Sequence, residues 1–402
     1  MNSCPVRLRG PEHTVDPAGY IEAVRAEHGS VVPVLMDADV PAWLVIGYRE
    51  LHQVLNTPAT FARSSARWNA WDRVPADWPL LPMVLQVPSV LYAEGDDHHR
   101  RSRAITDALA AVDPHELRSI TVRMADRLID TFCGSSGVDL RTAYAARIPA
   151  LVLGWIYGIE DRRGDELAAV MTAMIDGGPD AMSAQRDLMS RMAHLVAERR
   201  AAPGPDAVSR LLAHPAGYTD DELTAELIVI LGGGNQPTGE WIGNALRLML
   251  TDERFSASFA GARSSVRSAL NEVLWEDTPT QIQAGRYAVH DTELGGRHIR
   301  QGDMVLLGLS GANRDPGVRA GIPAEGNNAH LSFSHGAHRC PLPAQDIAET
   351  IAATAVEVLL DRLPDVELAV APQELRWRPS PWVRGVSSLP VTFTSVSPRG
   401  DY

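Results

Sequence analysis

Residues 333–343 read FSHGAHRCPLP and contain the most informative side chain of the protein, Cys340. A helix is predicted over about 344–363, directly after two prolines, which suit a first helical turn because no N–H is needed there. The positive end of that helix, with Arg339 and His338 nearby, favours a thiolate over a thiol at Cys340. On spacing alone, a small buried core cysteine is an equally good interpretation.

The ligands that metals require limit the possible roles of Cys340 as a metal ligand. A lone thiolate with no second cysteine nearby excludes a zinc site built from four cysteines. A single axial thiolate to a haem iron stays open, because haem needs only one such protein ligand.

This stretch resembles the haem-binding loop of the cytochrome P-450 superfamily, Phe-x-x-Gly-x-x-x-Cys-x-Gly. Phe333, Gly336 and Cys340 match that motif, whereas Leu342 stands where the family has its closing glycine. The resemblance implies the cytochrome P-450 fold with a buried haem b (iron protoporphyrin IX). It also implies that Cys340 is the axial ligand of the haem iron and that Phe333 and Gly336 belong to the cofactor-binding loop.

Further motifs extend the resemblance over essentially the whole chain. Residues 97–103, DHHRRSR, are similar to the helix start whose His and Arg hold a haem propionate, and the matching positions are His99 and Arg103. These two residues lie one helical turn apart on one face. Arg286 matches a strand that carries another propionate-binding arginine, and His338 falls on the remaining propionate position.

Length, charge and composition exclude several classes of protein. The 402 residues carry 37 basic and 50 acidic side chains, a net charge of −13, whereas a general nucleic-acid binder needs a basic face. No apolar run approaches the ~20 residues of a membrane span, and the polar start MNSCP lacks the features of a signal peptide. Three cysteines are too few for a disulfide scaffold. The sequence therefore predicts a cytoplasmic protein without a membrane partner.

The hydrophobic pattern predicts mostly helices. A strand is predicted at 42–47, and small hairpins within 288–307, where glycines interrupt an alternating pattern. With no strand–helix–strand rhythm, repeat or linker, the pattern indicates an α+β, predominantly α protein. It is predicted to form a single domain over 1–402, a helical domain with small peripheral β-sheets. Examples of the predicted helices are 116–132, 141–157, 164–174, 184–202, 220–250, 264–276 and 344–363.

One departure from the family concerns its helix motif Glu-x-x-Arg, which reads Glu272-Val273-Leu274-Trp275 here. The family's second arginine is missing too, because no arginine occurs between Arg319 and Arg339. A buried glutamate stripped of its ion partners would cost ~3–5 kcal/mol. Glu272 is therefore expected to find other donors, the indole N–H of Trp275 or backbone amides, or to be protonated.

A second departure lies in the long predicted helix, at the family's oxygen-binding groove. The family sequence Ala-Gly-x-Asp/Glu-Thr maps onto residues 233–237, GGNQP, so Gln236 replaces the acid and Pro237 the alcohol. Pro237 releases the carbonyl four residues back, which keeps a helix kink and an oxygen pocket. Thr238 follows about 100° further round the helix. The candidate catalytic residues are Gly233, Gly234, Gln236, Pro237 and Thr238.

An actinobacterial subgroup of the family is similar at both places, as its members carry Glu-x-x-Trp and Asn-Glu-Pro-Thr, and only Gln236 differs from that pattern. The subgroup includes proteins encoded beside small-GTPase signalling operons and enzymes that couple tryptophan-containing cyclodipeptides oxidatively. Hydroxylation needs controlled protonation of dioxygen, for which a groove without the acid–alcohol pair is poorly equipped. The leading hypothesis is therefore a haem-thiolate oxidoreductase of bacterial secondary metabolism that forms a C–C or C–N bond on an aromatic natural product. A tryptophan-containing cyclodipeptide is the best specific substrate.

Family position also suggests which side chains line the substrate pocket. Aromatic rings suit stacking against an indole, although ordinary packing explains such rings at least as often. The candidate substrate residues are Trp68, Trp71, Gln283, Ala284 and Trp382.

Two alternative functions stay open on the sequence. One is a conventional monooxygenase that hydroxylates a small hydrophobic substrate, with Thr238 or ordered water delivering protons. The other is a haem-binding regulatory partner without turnover.

The resemblance also implies partner proteins. A ferredoxin and its reductase would supply electrons, docking on arginines of the thiolate side such as Arg100, Arg101 and Arg339. No nucleic acid is expected as a partner, except a free nucleobase as co-substrate.

Overall fold

The computed structural model describes residues 5–8, 16–78, 80–175, 181–253, 263–319 and 327–400. Long helices dominate these residues, and short strands form small sheets at the periphery. The predicted α+β, predominantly α fold is therefore confirmed. Within the described residues, no helix has the length and apolarity to cross a membrane.

The region predicted as one helix over 141–157 divides into a π-helical turn, Arg141–Ala145, and the helix Ile148–Ile156, whereas the other predicted helices in the described residues are present with shifted ends. The α-helices are named here by number. In chain order they are α1 (Pro17–His28), α2 (Tyr48–Asn56), α3 (Leu81–Val84), α4 (Gly95–Ala110), α5 (Pro114–Asp130), α6 (Ile148–Ile156), α7 (Asp161–Ile175), α8 (Ala181–Ala201), α9 (Ala207–Ala213), α10 (Asp220–Thr251), α11 (Arg263–Glu276), α12 (Leu309–Asn313), α13 (Pro316–Arg319) and α14 (Leu342–Arg362).

The strands are short. They are β1 (Val6–Arg7), β2 (Val31–Leu35), β3 (Pro41–Val45), β4 (Phe61–Ala62), β5 (Gly137–Asp139), β6 (Gln283–Ala288), β7 (Thr292–Leu294), β8 (Arg297–Ile299), β9 (Met304–Leu307), β10 (Glu367–Leu368) and β11 (Pro390–Thr392). A six-stranded sheet has the order β1-β2-β3-β9-β6-β4, and a three-stranded sheet has the order β10-β11-β5. Strands β7 and β8 form the predicted hairpin, where Gly295 and Gly296 adopt positive φ angles of 54° and 72°.

The described hydrophobic residues form three cores, a larger one among the helices and one on each face of the main sheet. The larger core contains α10, which packs against α14, α8 and α11, and it holds residues such as Leu227, Leu231 and Ile351. The second core lies on one face of the six-stranded sheet and includes Leu44 and Leu306. A cavity lies between α10 and the first turns of α14, with the end of β6 at its rim.

Helix α10 is the longest element and carries the groove residues. Its start is fixed by a capping box, in which the Thr219 hydroxyl accepts from the Glu222 N–H and the Glu222 carboxylate accepts from the Thr219 N–H. The helix continues to Thr251 with Pro237 inside it. A proline inside a helix removes one backbone hydrogen bond, and tertiary packing of α10 in the larger core offsets that cost.

Candidate active site

The candidate site is a cavity of about 300 Å³ with mostly apolar walls. Helix α10 forms one side, and the loop that ends at Cys340, with the first turns of α14, forms the opposite side. Helix α4 contributes a third wall, and Val90 and Leu91 close the space between α4 and α10. Cavities of this kind, apolar with few polar groups, are typical ligand sites.

Local backbone geometry holds Cys340 at the cavity. Its N–H donates to the Phe333 carbonyl at 2.9 Å, and the Gln345 side chain donates to the Cys340 carbonyl at 2.7 Å. Gly336 has φ +72°, and a Cβ there would lie 2.3 Å from the Leu55 carbonyl oxygen, so this turn requires glycine. Burial raises the pKa of the Cys340 thiol to about 12. A metal cation at the sulfur would reverse that effect, because it stabilises the thiolate.

Leu342, which replaces the family's closing glycine, does not obstruct the cavity. It is the first residue of α14, it is 56% exposed, and its side chain is not part of the cavity wall. The missing glycine is therefore compatible with an open site beside Cys340.

One end of the site is positively charged and partly unpaired. Arg286 is only 2% exposed, and its Nε and Nη1 atoms have no hydrogen-bond partner. Arg63 lies close enough to influence it, but the Arg63 guanidinium donates to the carbonyls of Leu91, Ala284 and Gly285. Unpaired, buried guanidinium N–H groups fit an anionic ligand, such as a haem propionate, because leaving them unsatisfied is costly.

Two histidines share this end of the site. The rings of His98 and His338 lie 3.9 Å apart between centroids, and both line the cavity. Burial and the nearby positive charges lower the pKa of His98 to about 4 and lower that of His338 further. Both imidazoles are therefore neutral near pH 7 and can donate one N–H each, which also fits a propionate.

The prediction of His99 and Arg103 as the propionate pair is wrong by one residue. His99 is exposed, and Arg103 is 80% exposed and pairs with Asp107 at 3.7 Å. The face of α4 that meets the cavity instead carries His98 and Ser102, followed by Ile105 and Leu109. Those last two apolar residues, at helical spacing from position 98, are the sequence signal that identifies the inward face. Ser102, one helical turn after His98, therefore lies where the family motif has its arginine.

The groove side of the cavity differs from the prediction at one position. Gly233, Gly234, Pro237 and Thr238 all line the cavity, and Thr238 is 2% exposed. Gln236 is not in the cavity wall, because it lies on another face of α10. Within the described part of the chain, no aspartate or glutamate side chain lines the cavity.

Trp275 is one of the donors expected for Glu272. Its buried indole N–H donates to the Asn327 carbonyl at 2.8 Å, and the Arg319 guanidinium lies 4.8 Å from the ring centroid. Arg319 also pairs with Glu276 at 2.6 Å, and Arg314 pairs with the same carboxylate at 2.9 Å. The arginines therefore meet a carboxylate four residues after Glu272, a replacement that the motif alone did not reveal.

Most of the predicted substrate residues lie away from the cavity. Gln283 lines it, but Trp68, Trp71, Ala284 and Trp382 do not. Trp68 belongs to the second core, with its ring centroid 5.0 Å from that of Trp71. The tryptophans pack against the main sheet, because their large apolar rings bury its hydrophobic face. Val90 and Leu91 also line the cavity, but no distinctive motif surrounds these apolar residues, so the sequence does not predict their role.

The arginines predicted to dock a redox partner differ in exposure. Arg101 is 4% exposed and is paired with Glu226 at 3.1 Å. Arg100 is half-buried and pairs with Asp97 at 2.7 Å and Glu222 at 3.1 Å. Arg339 is exposed, next to the cysteine. Of the three predicted residues, two serve ion pairs inside the fold, and only Arg339 is exposed enough for docking.

Comparison with known proteins gives relatives over nearly the full chain, although no family profile matches it. Cytochrome P450 107B1 of Saccharopolyspora erythraea is 30% identical over 367 residues, which cover 87% of this chain and 89% of that protein. The vitamin D(3) 25-hydroxylase of Pseudonocardia autotrophica is 30% identical over 384 residues, 92% of each protein.

Solved structures agree with this result. CYP154C4 from Streptomyces superposes with a TM-score of 0.86 at 25% identity and covers 99% of this chain and 100% of that one. CxnD, a cytochrome P450 for C–S bond formation in chuangxinmycin biosynthesis, superposes with a TM-score of 0.83 at 25% identity over the same shares. With Cys340 in the cavity wall, a partly unpaired Arg286 close to His98 and His338, and these relatives over most of its length, the chain belongs to the cytochrome P450 superfamily and is a haem-dependent oxidoreductase.

Proposed function

We propose that this cytochrome P450 joins aromatic rings oxidatively, forming a C–C or C–N bond on a bacterial natural product. A tryptophan-containing cyclodipeptide is the proposed substrate. The observation that carries the proposal is the composition of the cavity wall, where the described residues include no carboxylate and a proline occupies the alcohol position of the groove.

The residues present fit a haem. Cys340 would bind the iron, and Arg286, His98 and His338 would hold the propionates. When bound, the haem supplies one-electron oxidation of the substrate. The protein then has to bind and orient two rings, exclude water and control where protons go.

Proton supply distinguishes the two types of reaction. General acid–base help is worth ~10²–10⁴-fold in rate, so hydroxylation without an acid in the groove is at a disadvantage. Ring coupling removes a hydrogen from each ring, and with hydrogen peroxide as the oxidant those two hydrogens are the only ones needed to form water. With that oxidant the groove has no proton to deliver.

The electron balance of the coupling is simple. Joining two rings releases two protons and two electrons, which reduce hydrogen peroxide to water. With dioxygen as the oxidant, two further electrons and protons are needed. A ferredoxin and its reductase are the proposed source of those electrons, with Arg339 at the docking face. The similarity to CxnD supports the proposal, since a protein of this fold forms a bond other than C–O.

The cavity suits an aromatic cyclodipeptide. Val90, Leu91, Val229 and Ile230 provide an apolar wall for an indole ring. Gln283 provides an amide, which can pair with a diketopiperazine N–H or carbonyl. A few polar groups in an apolar wall are what orients such a ligand.

The test incubates the haem-loaded enzyme with a ditryptophan cyclodipeptide, a ferredoxin system or peroxide, and analyses products by mass spectrometry. Coupling gives a dimer that lacks two hydrogens, whereas hydroxylation gives a monomer with one added oxygen. Only hydroxylated monomers would contradict the proposal. Binding of the cyclodipeptide without any product would instead favour the regulatory function.

A double variant tests whether the missing acid–alcohol pair selects the reaction. The double change Gln236→Glu and Pro237→Thr restores the family's acid and alcohol. If the missing pair directs the reaction toward coupling, the variant shifts its products toward hydroxylation. An unchanged product ratio would show that the groove does not select the reaction.

Thr238 supports one alternative, a conventional monooxygenase. Its side chain is buried and lines the cavity beside Pro237, so its hydroxyl can relay a proton. Under that alternative, Thr238→Ala diverts reducing equivalents to peroxide and lowers product formation by ~10²-fold or more. Under the coupling proposal, Thr238→Val and Thr238→Ala both keep product formation within a few-fold of the wild type.

A further inference from the structure

Glu226 is a buried carboxylate that the proposed reaction does not use. It lies on α10, ahead of the groove, and is 0% exposed. Its two oxygens accept from the Val90 N–H at 2.9 and 3.0 Å, and Arg101 donates to it at 3.1 Å. A carboxylate is kept in such a position only when hydrogen bonds offset its desolvation.

The contacts of Glu226 connect three walls of the cavity. Val90 belongs to the segment Val90–Leu91, here called the 90–91 wall, which lines the cavity. Arg101 is on α4, and its guanidinium also donates to the Pro88 carbonyl at 2.8 Å. The residues before the wall, 85–88, are exposed, and the wall is held by a second contact as well, in which Arg63 Nε donates to the Leu91 carbonyl at 2.9 Å.

Residues next to Glu226 on α10 face the substrate. Val229 and Ile230, three and four positions later, line the same cavity as the 90–91 wall. On a helix, these positions lie on the same side as Glu226. The width of the cavity at this point therefore depends on the distance at which Glu226 holds Val90.

We propose that Glu226 is a positioning residue that sets which substrates the cavity accepts, by fixing the 90–91 wall against α10. The ligands concerned are aromatic molecules larger than one ring, which have to contact that wall. The inference rests on one part of the proposed function, namely that this cavity binds the substrate. It does not depend on which bond the enzyme forms.

Ionisation of Glu226 adds a pH dependence. Burial raises the pKa of Glu226 to about 7, although Val90 and Arg101 oppose that rise. Above that pH the carboxylate is charged and holds both donors, whereas below it a proton competes with them. The charged and titratable groups that face it or adjoin its ion pair are Arg100, Arg101, Asp97, Glu222, Tyr157 and Tyr218.

The test compares two haem ligands in the haem-loaded protein by absorbance titration. Imidazole is small, whereas 4-phenylimidazole carries a second ring that reaches the cavity wall. In Glu226→Gln, we expect the affinity for 4-phenylimidazole to change by about tenfold relative to imidazole, which corresponds to the loss of one charged hydrogen bond. The matched control is Glu222→Gln, because Glu222 also pairs with Arg101 but does not contact Val90.

The pH profile separates positioning from general stability. Each affinity is first corrected for protonation of the free ligand, because imidazoles titrate close to this pH. In the wild type, the corrected affinity ratio of the two ligands should change with a midpoint near pH 7, and this midpoint should be absent in Glu226→Gln but kept in Glu222→Gln. A ratio that is the same in all three proteins at every pH would overturn the proposal.

Hydrogen exchange gives a readout that does not involve a ligand. In Glu226→Ala the Val90 amide loses its acceptor, so its exchange should accelerate about tenfold or more, with little change in α14. Unchanged exchange at Val90 would also overturn the proposal. Because neither readout involves product formation, failure of the coupling hypothesis would leave both results interpretable.

Discussion

The two sides of the cavity differ in how closely they follow the family. On the side of the loop that ends at Cys340, a glycine at positive φ, a half-buried thiol and a partly unpaired arginine near His338 form a site that fits a haem. On the α10 side, Pro237 stands in the wall and Gln236 lies outside it. Under the proposed function, cofactor binding and the choice of reaction depend on separate groups of residues, so each can be changed without the other.

The largest effect is expected from Cys340→Ser. A serine oxygen cannot replace the thiolate ligand, so the strongly red-shifted carbon monoxide band of the reduced protein should disappear. Cys133→Ala is the matched control, because Cys133 is buried in the larger core away from the cavity and its loss should keep the band. A red-shifted band in Cys340→Ser would contradict thiolate ligation.

The next largest effect is expected from a substitution in the turn before Cys340. Gly336→Ala and Gly296→Ala both place a side chain at φ +72°, which costs ~1–2 kcal/mol. At Gly336 the added carbon also meets the Leu55 carbonyl at 2.3 Å, whereas Gly296 faces open space. The overlap should cost a further ~1–3 kcal/mol.

Denaturant unfolding of the two glycine variants measures that difference, together with the amount of haem retained. Equal losses in free energy of unfolding would mean that the loop relaxes away from Leu55. In that case the Cys340 side would be less rigid than its geometry indicates.

The corrected register of α4 can be tested with neighbouring histidines. His98→Ala removes a ring that lines the cavity, and we expect haem to dissociate about tenfold faster, as loss of one hydrogen bond to a charged group would cause. His99→Ala removes an exposed ring and should leave the rate within twofold of the wild type. Transfer of haem to apomyoglobin measures both rates, and the reverse order would restore the original prediction.

His98 should also make the haem-free protein sensitive to acid. Its folded pKa is about 4, below the ordinary value of 6.5, so the unfolded chain binds more protons between those two values. Stability should therefore fall as pH drops from 6.5 toward 4, and less steeply in His98→Ala. Thermal unfolding of the apoprotein across this range checks the slope, and parallel curves would exclude His98 as its source.

The features that could be predicted from the sequence are local ones. The α+β fold and the turn around Cys340 follow from contiguous motifs whose residues constrain their own backbone. The motif favours His99 over His98 because it does not show which face of α4 points inward, and the packing of Ile105 and Leu109 decides that. Family position places Trp68 at the substrate, and its core role could not be predicted because its partners in the second core are distant in sequence.

The smallest effect is expected from Leu342→Gly, which restores the family's closing glycine. Because Leu342 is 56% exposed and outside the cavity wall, its removal should change neither the carbon monoxide band nor haem retention. A glycine in the first turn of α14 should lower the free energy of unfolding by ~1 kcal/mol or less. If the variant instead held haem more tightly, the leucine would be disturbing the site. Leu342 would then weaken haem binding on the Cys340 side. Both sides of the cavity would differ from the family in function, and the contrast between them would be smaller.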